Sequence, residues 1–190
     1  MATAISPLPW SVPFTGDSRL LVRRALPEDL ASLAALKRRV ERRCYAALAS
    51  EDALAVRFHR RCTAWWLLGR LSAGDLLLLA ELDGRRVGLG GARLDDEALH
   101  LHSSYVEEQG YGAGRALLAA RLEAADALGV DALTADAFVG CAEAEGRLRR
   151  LGMQRSGPDT ESPTFPGVPL SNWTGSVHTA LTSLGRRRTS

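Results

Sequence analysis

Between Gln109 and Arg115 the chain reads Gln-Gly-Tyr-Gly-Ala-Gly-Arg, three glycines in alternation at the meeting of a strand-like and a helix-like segment. Upstream, Leu99-His100-Leu101-His102-Ser103-Ser104-Tyr105-Val106 reads as a strand. Downstream, Leu117, Leu118, Leu122, Ala125 and Leu128 mark one apolar face of a helix over 116–128. A turn of this kind gathers backbone N–H groups at a helix N-terminus, where unpaired donors and the helix dipole attract an anion. Glycine allows a phosphate to approach where a Cβ would block it. Gly110, Tyr111, Gly112, Ala113, Gly114 and Arg115 are therefore candidates for holding a pyrophosphate-bearing cofactor. Two familiar phosphate-binding patterns fail on spacing. A P-loop requires Lys and then Ser or Thr after its last glycine, where this chain has Arg115-Ala116. A dinucleotide fingerprint, G-x-G-x-x-G, opens a βαβ unit, whereas here G-x-G-x-G falls past the middle of the chain.

Gln109, Gly112 and Gly114 occupy the three defined positions of Q/R-x-x-G-x-G/A. The stretch thereby resembles the acyl-CoA-binding signature of the GNAT superfamily of N-acyltransferases. The surroundings follow in order. Leu20–Leu30 resembles the family's opening strand and entry to its first helix. Leu77–Leu82, Asp83-Gly84 and Arg86–Gly90 resemble its central hairpin, and Arg147–Met153 the close of its last helix. The resemblance spans residues 19–156. It implies one α/β (α+β) domain, a mixed, mostly antiparallel sheet flanked by helices and splayed between its fourth and fifth strands. It implies acetyl-CoA or another acyl-CoA as donor, with pantetheine lying along the edge His102-Ser103-Ser104 and the amides of 110–115 on the pyrophosphate.

Acyl transfer to an amine needs a polarised carbonyl, a neutral amine and a protonated or stabilised leaving thiolate. In the family an Asn opens the last helix and a Tyr follows seven residues later. Counting back from Gly152 places Cys141 and Leu148 there, so the usual acid is replaced by a leucine. Cys141 reads as a small residue at a helix start, beside the donor. Some members use an acid on the preceding strand as base, and Asp136 falls at that position. Its other reading is a structural hydrogen-bonder, since a carboxylate on the apolar strand 132–137 is costly to bury without a partner. His100 and His102, two residues apart, share one strand face. An imidazole suits proton abstraction, so His102 is a second candidate base; the pair also admits a purely structural role. No third ligand accompanies them, so a metal site is not expected.

At 190 residues and 46% hydrophobic, the chain can bury a full core. The net charge of +2 gives no footprint for nucleic acid. Of 24 basic residues only Lys37 is a lysine, a bias that reads as compositional, so arginine clusters carry no functional weight at this stage. No apolar run is long enough to span a membrane, and Met1–Ser18 has no secretory pattern, which points to the cytoplasm. Cys44, Cys62 and Cys141 are widely spaced and odd in number, as expected of free thiols.

Periodicity places a strand at about 20–25 and a first helix with Pro27 in its opening turn. A second helix, N-capped by Ser50, has Leu54, Phe58, Cys62, Trp65 and Trp66 along its buried face. Strands follow at 76–82, 86–94, 98–106 and 132–138, helices at 115–129 and 142–151, and final strands near 153–156 and 173–182. The proline-bearing stretch Gly157–Asn172 reads as a lid-like loop or a spacer. Residues 1–18 read as an irregular arm, 19–184 as the domain and 185–190 as a basic tail. The acceptor side falls around 44–52 and 157–172, with Tyr45, Trp65, Trp66 and Trp173 as aromatic walls or core residues; the adjacent Trp65 and Trp66 cannot share one helical face, so one packs in the core and the other is partly exposed. The function implied is acyl transfer to a small-molecule amine by direct attack. The alternatives are a donor thioester on an acyl carrier protein, or a non-catalytic acyl-CoA- or partner-binding module; monomer and homodimer are equally compatible.

Overall fold

A computed structural model describes residues 12–13, 19–95, 97–165 and 167–185. The strands are β1 (Val12–Pro13), β2 (Leu20–Arg24), β3 (Leu76–Leu82), β4 (Arg85–Asp95), β5 (Ala98–Val106), β6 (Ala132–Phe138), β7 (Gln154–Arg155), β8 (Thr160–Glu161) and β9 (Pro169–Ser176). The helices are α1 (Leu30–Tyr45), α2 (Glu51–Arg61), α3 (Ala64–Ser72), α4 (Ala113–Ala127), α5 (Ala142–Arg150) and α6 (Val177–Ser183). The sheet runs β1-β2-β3-β4-β5-β6-β9-β7, with β8 on β9. Every pairing is antiparallel except β5 with β6. Counted from Leu20, β5 and β6 are the fourth and fifth strands. Their pairing ends at Leu101 and Ala135, although β5 continues to Val106 and β6 to Phe138. The mixed sheet and its splay are those expected.

The leucine run of β3 is buried on both faces. Leu77 and Leu79 pack under α1 and α3, and Leu76, Leu78 and Leu82 under α4. Such two-sided burial is why the run is continuous rather than alternating. A bulge then decides what β5 presents. Leu89 of β4 opposes Tyr105, but Gly91 opposes His102, so β5 uses three residues where β4 uses two. Ser103 takes up the excess at φ 52°, a left-handed conformation uncommon outside glycine. Before the bulge, Leu99 and Leu101 enter the α4-side core and His100 and His102 face the other side. After it, Ser104 meets Arg121 of α4 and Tyr105 joins α1. Without the extra residue, His102 and Tyr105 would lie on opposite faces.

The second helix differs from expectation. Ser50 does cap α2, accepting from the Ala53 N–H at 3.3 Å, but the helix stops at Arg61. Thr63 begins α3 by accepting from the Trp66 N–H at 3.1 Å. A side-chain oxygen at this point offers the backbone a new cap in place of a continuing helix. Trp65 consequently stands 81% exposed while Trp66 packs partly buried against the core, as expected of two adjacent tryptophans that cannot share one helical face. The expected strand over 173–182 is also divided. Ser176 caps α6 through the Thr179 N–H, so Val177–Ser183 is helical, and β9 begins at Pro169. The 157–172 stretch is therefore neither a free lid nor a spacer: it holds β8 and the start of β9, and Phe165 is buried. Trp173 belongs to the core, its indole N–H donating to Ser171 Oγ at 2.9 Å.

Within the stretch read as an irregular arm, Val12–Pro13 pairs with β2. The rest of residues 1–18, the tail beyond Gly185 and Pro166 lie outside the described residues. No described helix is long and apolar enough to cross a membrane.

Candidate active site

The glycine turn delivers what its sequence suggests. Gly112 is the N-cap of α4 at φ 77°, no side chain caps the helix, and its first turn carries no acid. A Cβ built on Gly110 or Gly112 would meet nothing within 4 Å, so both positions stand open. They face a channel of about 730 Å³ between the ends of α1 and β5 and helix α5. Arg43, Arg115, Arg147 and Arg150 line it beside Gln109, Gly110, Ala113 and Gly114. An uncapped helix N-terminus among guanidinium groups suits a pyrophosphate. Tyr111 is half exposed and is not among the channel's lining residues.

A second space of about 390 Å³ adjoins the first. Tyr45, Ser104, Tyr105, Gly114 and Cys141 line both, so the bulge of β5 stands at their junction. His102 and Ser103 line only the inner cleft. The His102 ring lies over Gly91, where a Cβ would come within 2.3 Å of Cε1. Its Nδ1 is 3.0 Å from Ser103 Oγ and its Nε2 is 2.9 Å from Oδ2 of the buried Asp75. Arg70 Nε approaches the same oxygen at 2.5 Å. Both approaches are off the hydrogen-bonding axis, so proximity and charge, not directed bonds, hold Asp75. Burial lowers the His102 pKa below its usual 6.5, against the opposing pull of Asp75.

His100 shares the face but has other partners. Its Nδ1 is 3.1 Å from Thr134 Oγ1, and its Nε2 is 3.7 Å from Asp136 Oδ2. Burial lowers its pKa as well, with Asp136 opposing. Asp136 is exposed and lines the cleft from β6. Among the described residues no cluster suited to a metal ion occurs. Cys141 is the N-cap of α5 and provides no side-chain cap. Leu148 is buried among apolar side chains, so the position counted for an acid carries no hydroxyl.

Besides Asp75, two buried groups behind the site escaped the sequence reading. Glu41 is fully enclosed and binds Lys37, Arg57 and Tyr105. Arg57 donates from Nε at 2.8 Å and Nη2 at 2.7 Å, and the Tyr105 hydroxyl at 2.5 Å. Burial would raise the Glu41 pKa, but Lys37 and Arg57 outweigh it and hold it at about 2. A signal was present: Lys37 and Glu41 are four apart on the stripe of Leu33, Val40 and Cys44, polar residues on an apolar face. The second is Arg121, buried on α4, which donates to Gly91 O at 2.9 Å, His102 O at 3.3 Å and Ser104 Oγ at 3.0 Å. It braces the bulge from beneath. Its burial without a carboxylate lowers its pKa to about 9.

No family model matches the sequence, and no curated protein matches it significantly. Solved structures do. The PaiA N-acetyltransferase of Thermoplasma acidophilum, in complex with coenzyme A, superposes with a TM-score of 0.69 at 16% identity, over 80% of this chain and 97% of its own. A GCN5-related N-acetyltransferase from Rhodopseudomonas palustris gives 0.66 at 27% identity, over 82% and 94%. The ribosomal-protein-alanine N-acetyltransferase of Brucella melitensis gives 0.62 at 25%, over 82% and 99%. With a sheet splayed beside a bulged strand, a glycine turn at the following helix and these structural neighbours, the chain belongs to the GNAT superfamily.

Proposed function

We propose that this protein is an N-acyltransferase that moves an acetyl or other small acyl group from acyl-CoA to a small-molecule amine by direct attack. The observation that carries this reading is the junction at the β5 bulge, where an open anion-binding turn and a histidine-bearing cleft meet. Neighbours of the same fold held coenzyme A or acetyl-CoA in their crystals, which supports the donor assignment.

Acyl-CoA would supply an activated acyl group as a thioester. The amides of 110–115, with Gln109 and the channel arginines, would hold its phosphates. Beyond Leu101, β5 has no β6 partner, and the Ser103–Ser104 backbone on that edge would hold the pantetheine arm. The amine enters from the cleft as an ammonium with no lone pair to attack. Neutral His102, with Asp75 at its back, accepts that proton; Asp136, acting beside His100, is the second candidate. A C–N bond then forms at the acyl carbon, the nitrogen sheds its second proton to water, and the C–S bond breaks. The leaving thiolate takes its proton from water or from a donor at the junction, because Leu148 cannot supply one. That loss favours one other reading, a non-catalytic acyl-CoA-binding module; an acyl-carrier-protein donor would differ in failing to be saturated by free acetyl-CoA.

The test uses Gly114→Glu. Gly114 has no positive φ, and a Cβ there would meet only Val106 Cγ2 at 3.4 Å. A carboxylate in the first turn of α4 suits the helix dipole while opposing a pyrophosphate, so the variant folds and loses the donor. Calorimetry with CoA should show binding to wild type and none to Gly114→Glu. Acetyl-CoA-dependent acetylation of an amine panel should follow the same pattern. CoA binding without turnover on any amine would favour the non-catalytic module, and equal CoA binding by both proteins would end the donor assignment.

A further inference from the structure

The inner cleft carries more positive charge than its own acids neutralise. Trp66 of α3 is surrounded by cations: Lys37 Nζ lies 5.1 Å, Arg61 Cζ 5.7 Å and Arg70 Cζ 5.9 Å from its ring centroid. These three residues, Trp66 and Arg57 all line the cleft. Two buried carboxylates serve them. Glu41 takes Lys37 and Arg57, and Asp75 takes Arg70 while standing beside His102. Neither pairs directly with Arg61, on which Glu41 acts only at longer range. Among the described residues its guanidinium has no ion pair or hydrogen bond, only the indole face of Trp66. It is half buried, and burial together with the charges of Arg57 and Arg70 depresses its pKa. Four cations facing these two buried carboxylates and the exposed Asp136 of β6 still leave a surplus of positive charge, and low-dielectric walls focus such a field. A guanidinium stacked on an aromatic ring keeps its planar fork free for a carboxylate or phosphate.

We infer that Arg61, backed by Trp66 and Arg70, seats an anionic group on the acceptor, so that the acceptor is an amine bearing a carboxylate or a phosphate rather than a simple alkylamine or a polyamine. This deepens the acyltransfer reading and rests on it. The field that draws in the anion also disfavours an ammonium in the same cleft. The acceptor's anion therefore secures binding, and the surrounding cations ease loss of the amine proton to His102. A polycation would meet only the repulsion.

The experiment compares acceptors that differ only in the anion, at saturating acetyl-CoA. Glycine is set against glycinamide, β-alanine against β-alaninamide, glutamate against its diamide, and phosphoethanolamine against ethanolamine. The carboxylates and the phosphate distinguish the two anions. A charge-assisted contact at Arg61 should give the anionic member of a pair about a 10-fold to 100-fold higher kcat/KM. Arg61→Gln should remove that preference through KM, with kcat and the neutral members unchanged, and Arg61→Lys should restore part of it. Higher turnover of the neutral members, or an equal loss on both in Arg61→Gln, overturns the inference. CoA calorimetry on Arg61→Gln should match wild type, which separates this failure from failure of the donor site. If no amine is acetylated, thermal shift with glutamate and phosphoethanolamine decides. Stabilisation of wild type but not of Arg61→Gln supports the seat, and no shift in wild type removes it.

Discussion

His102 and Asp136 are both acids or bases within one cleft, yet their settings differ. His102 is enclosed between Gly91, Ser103 and the buried Asp75, whereas Asp136 is exposed and reaches His100 at 3.7 Å. An imidazole accepts a proton only while neutral, that is, above its own pKa. Burial holds the pKa of His102 below 6.5, so the base stays competent on the acid side of neutrality. The kcat/KM profile should therefore keep an acidic limb whose midpoint lies below pH 6.5. His102→Gln preserves much of the shape and removes the base. It should abolish that limb and cost at least about 100-fold in rate, with CoA affinity intact. Asp136→Asn should leave the limb in place. The reverse pattern would transfer the base role to Asp136, and unchanged profiles in both would leave the proton to solvent.

The strand β5 and its bulge position these groups more than any single residue does, and here the sequence was only partly legible. Alternation along 98–106 marked the strand, and the glycine turn after it marked the anion site. The extra residue at Ser103 left no such mark, because a bulge is a property of pairing with β4 and appears only when both strands are known. The same limit explains α2 and α3. Apolar periodicity carried through Cys62 into the tryptophans, while a single capping oxygen on Thr63 restarted the helix. The arginine-lined cleft was hidden by composition, since guanidinium groups are spread along the whole chain and only the fold brings Arg57, Arg61 and Arg70 together. Gly91 shows how closely the element is fitted. A methyl group there would stand 2.3 Å from Cε1 of His102, so Gly91→Ala must displace the imidazole or the strand. Acetylation should fall and the acidic limb of the pH profile should be lost, while CoA still binds at the distant turn. Wild-type turnover in Gly91→Ala would show that the ring needs no fixed place over β4.

Across the whole molecule, Glu41 ties the helices of the acceptor side to the strand that bears the chemistry. Its carboxylate holds Lys37 on α1, Arg57 on α2 and Tyr105 just beyond the bulge, and accepts from Cys62 Sγ at 3.2 Å. Arg57 extends the connection to Thr164 at 2.6 Å, fastening the segment before β9 over the cleft. These contacts make the cleft a rigid consequence of the fold, although a buried ion network is weak evidence for stability as such. Removing one member is a different matter, since it strands the others in a low-dielectric interior. Glu41→Gln should destabilise the protein by about 3–5 kcal/mol, read from denaturant unfolding, and should loosen the acceptor side before the donor turn. The pH dependence has a definite sign. The folded Glu41 titrates at about 2, against an ordinary value of 4.5, so its contribution is complete above the ordinary value and is lost as pH falls toward 2. At neutral pH that difference amounts to about 3 kcal/mol. Wild type should therefore lose stability steeply between pH 4.5 and 2, and Glu41→Gln should lack that part of the slope. If the two proteins lose stability in parallel across the interval, other carboxylates govern the acid transition and Glu41 contributes shape without net stabilisation.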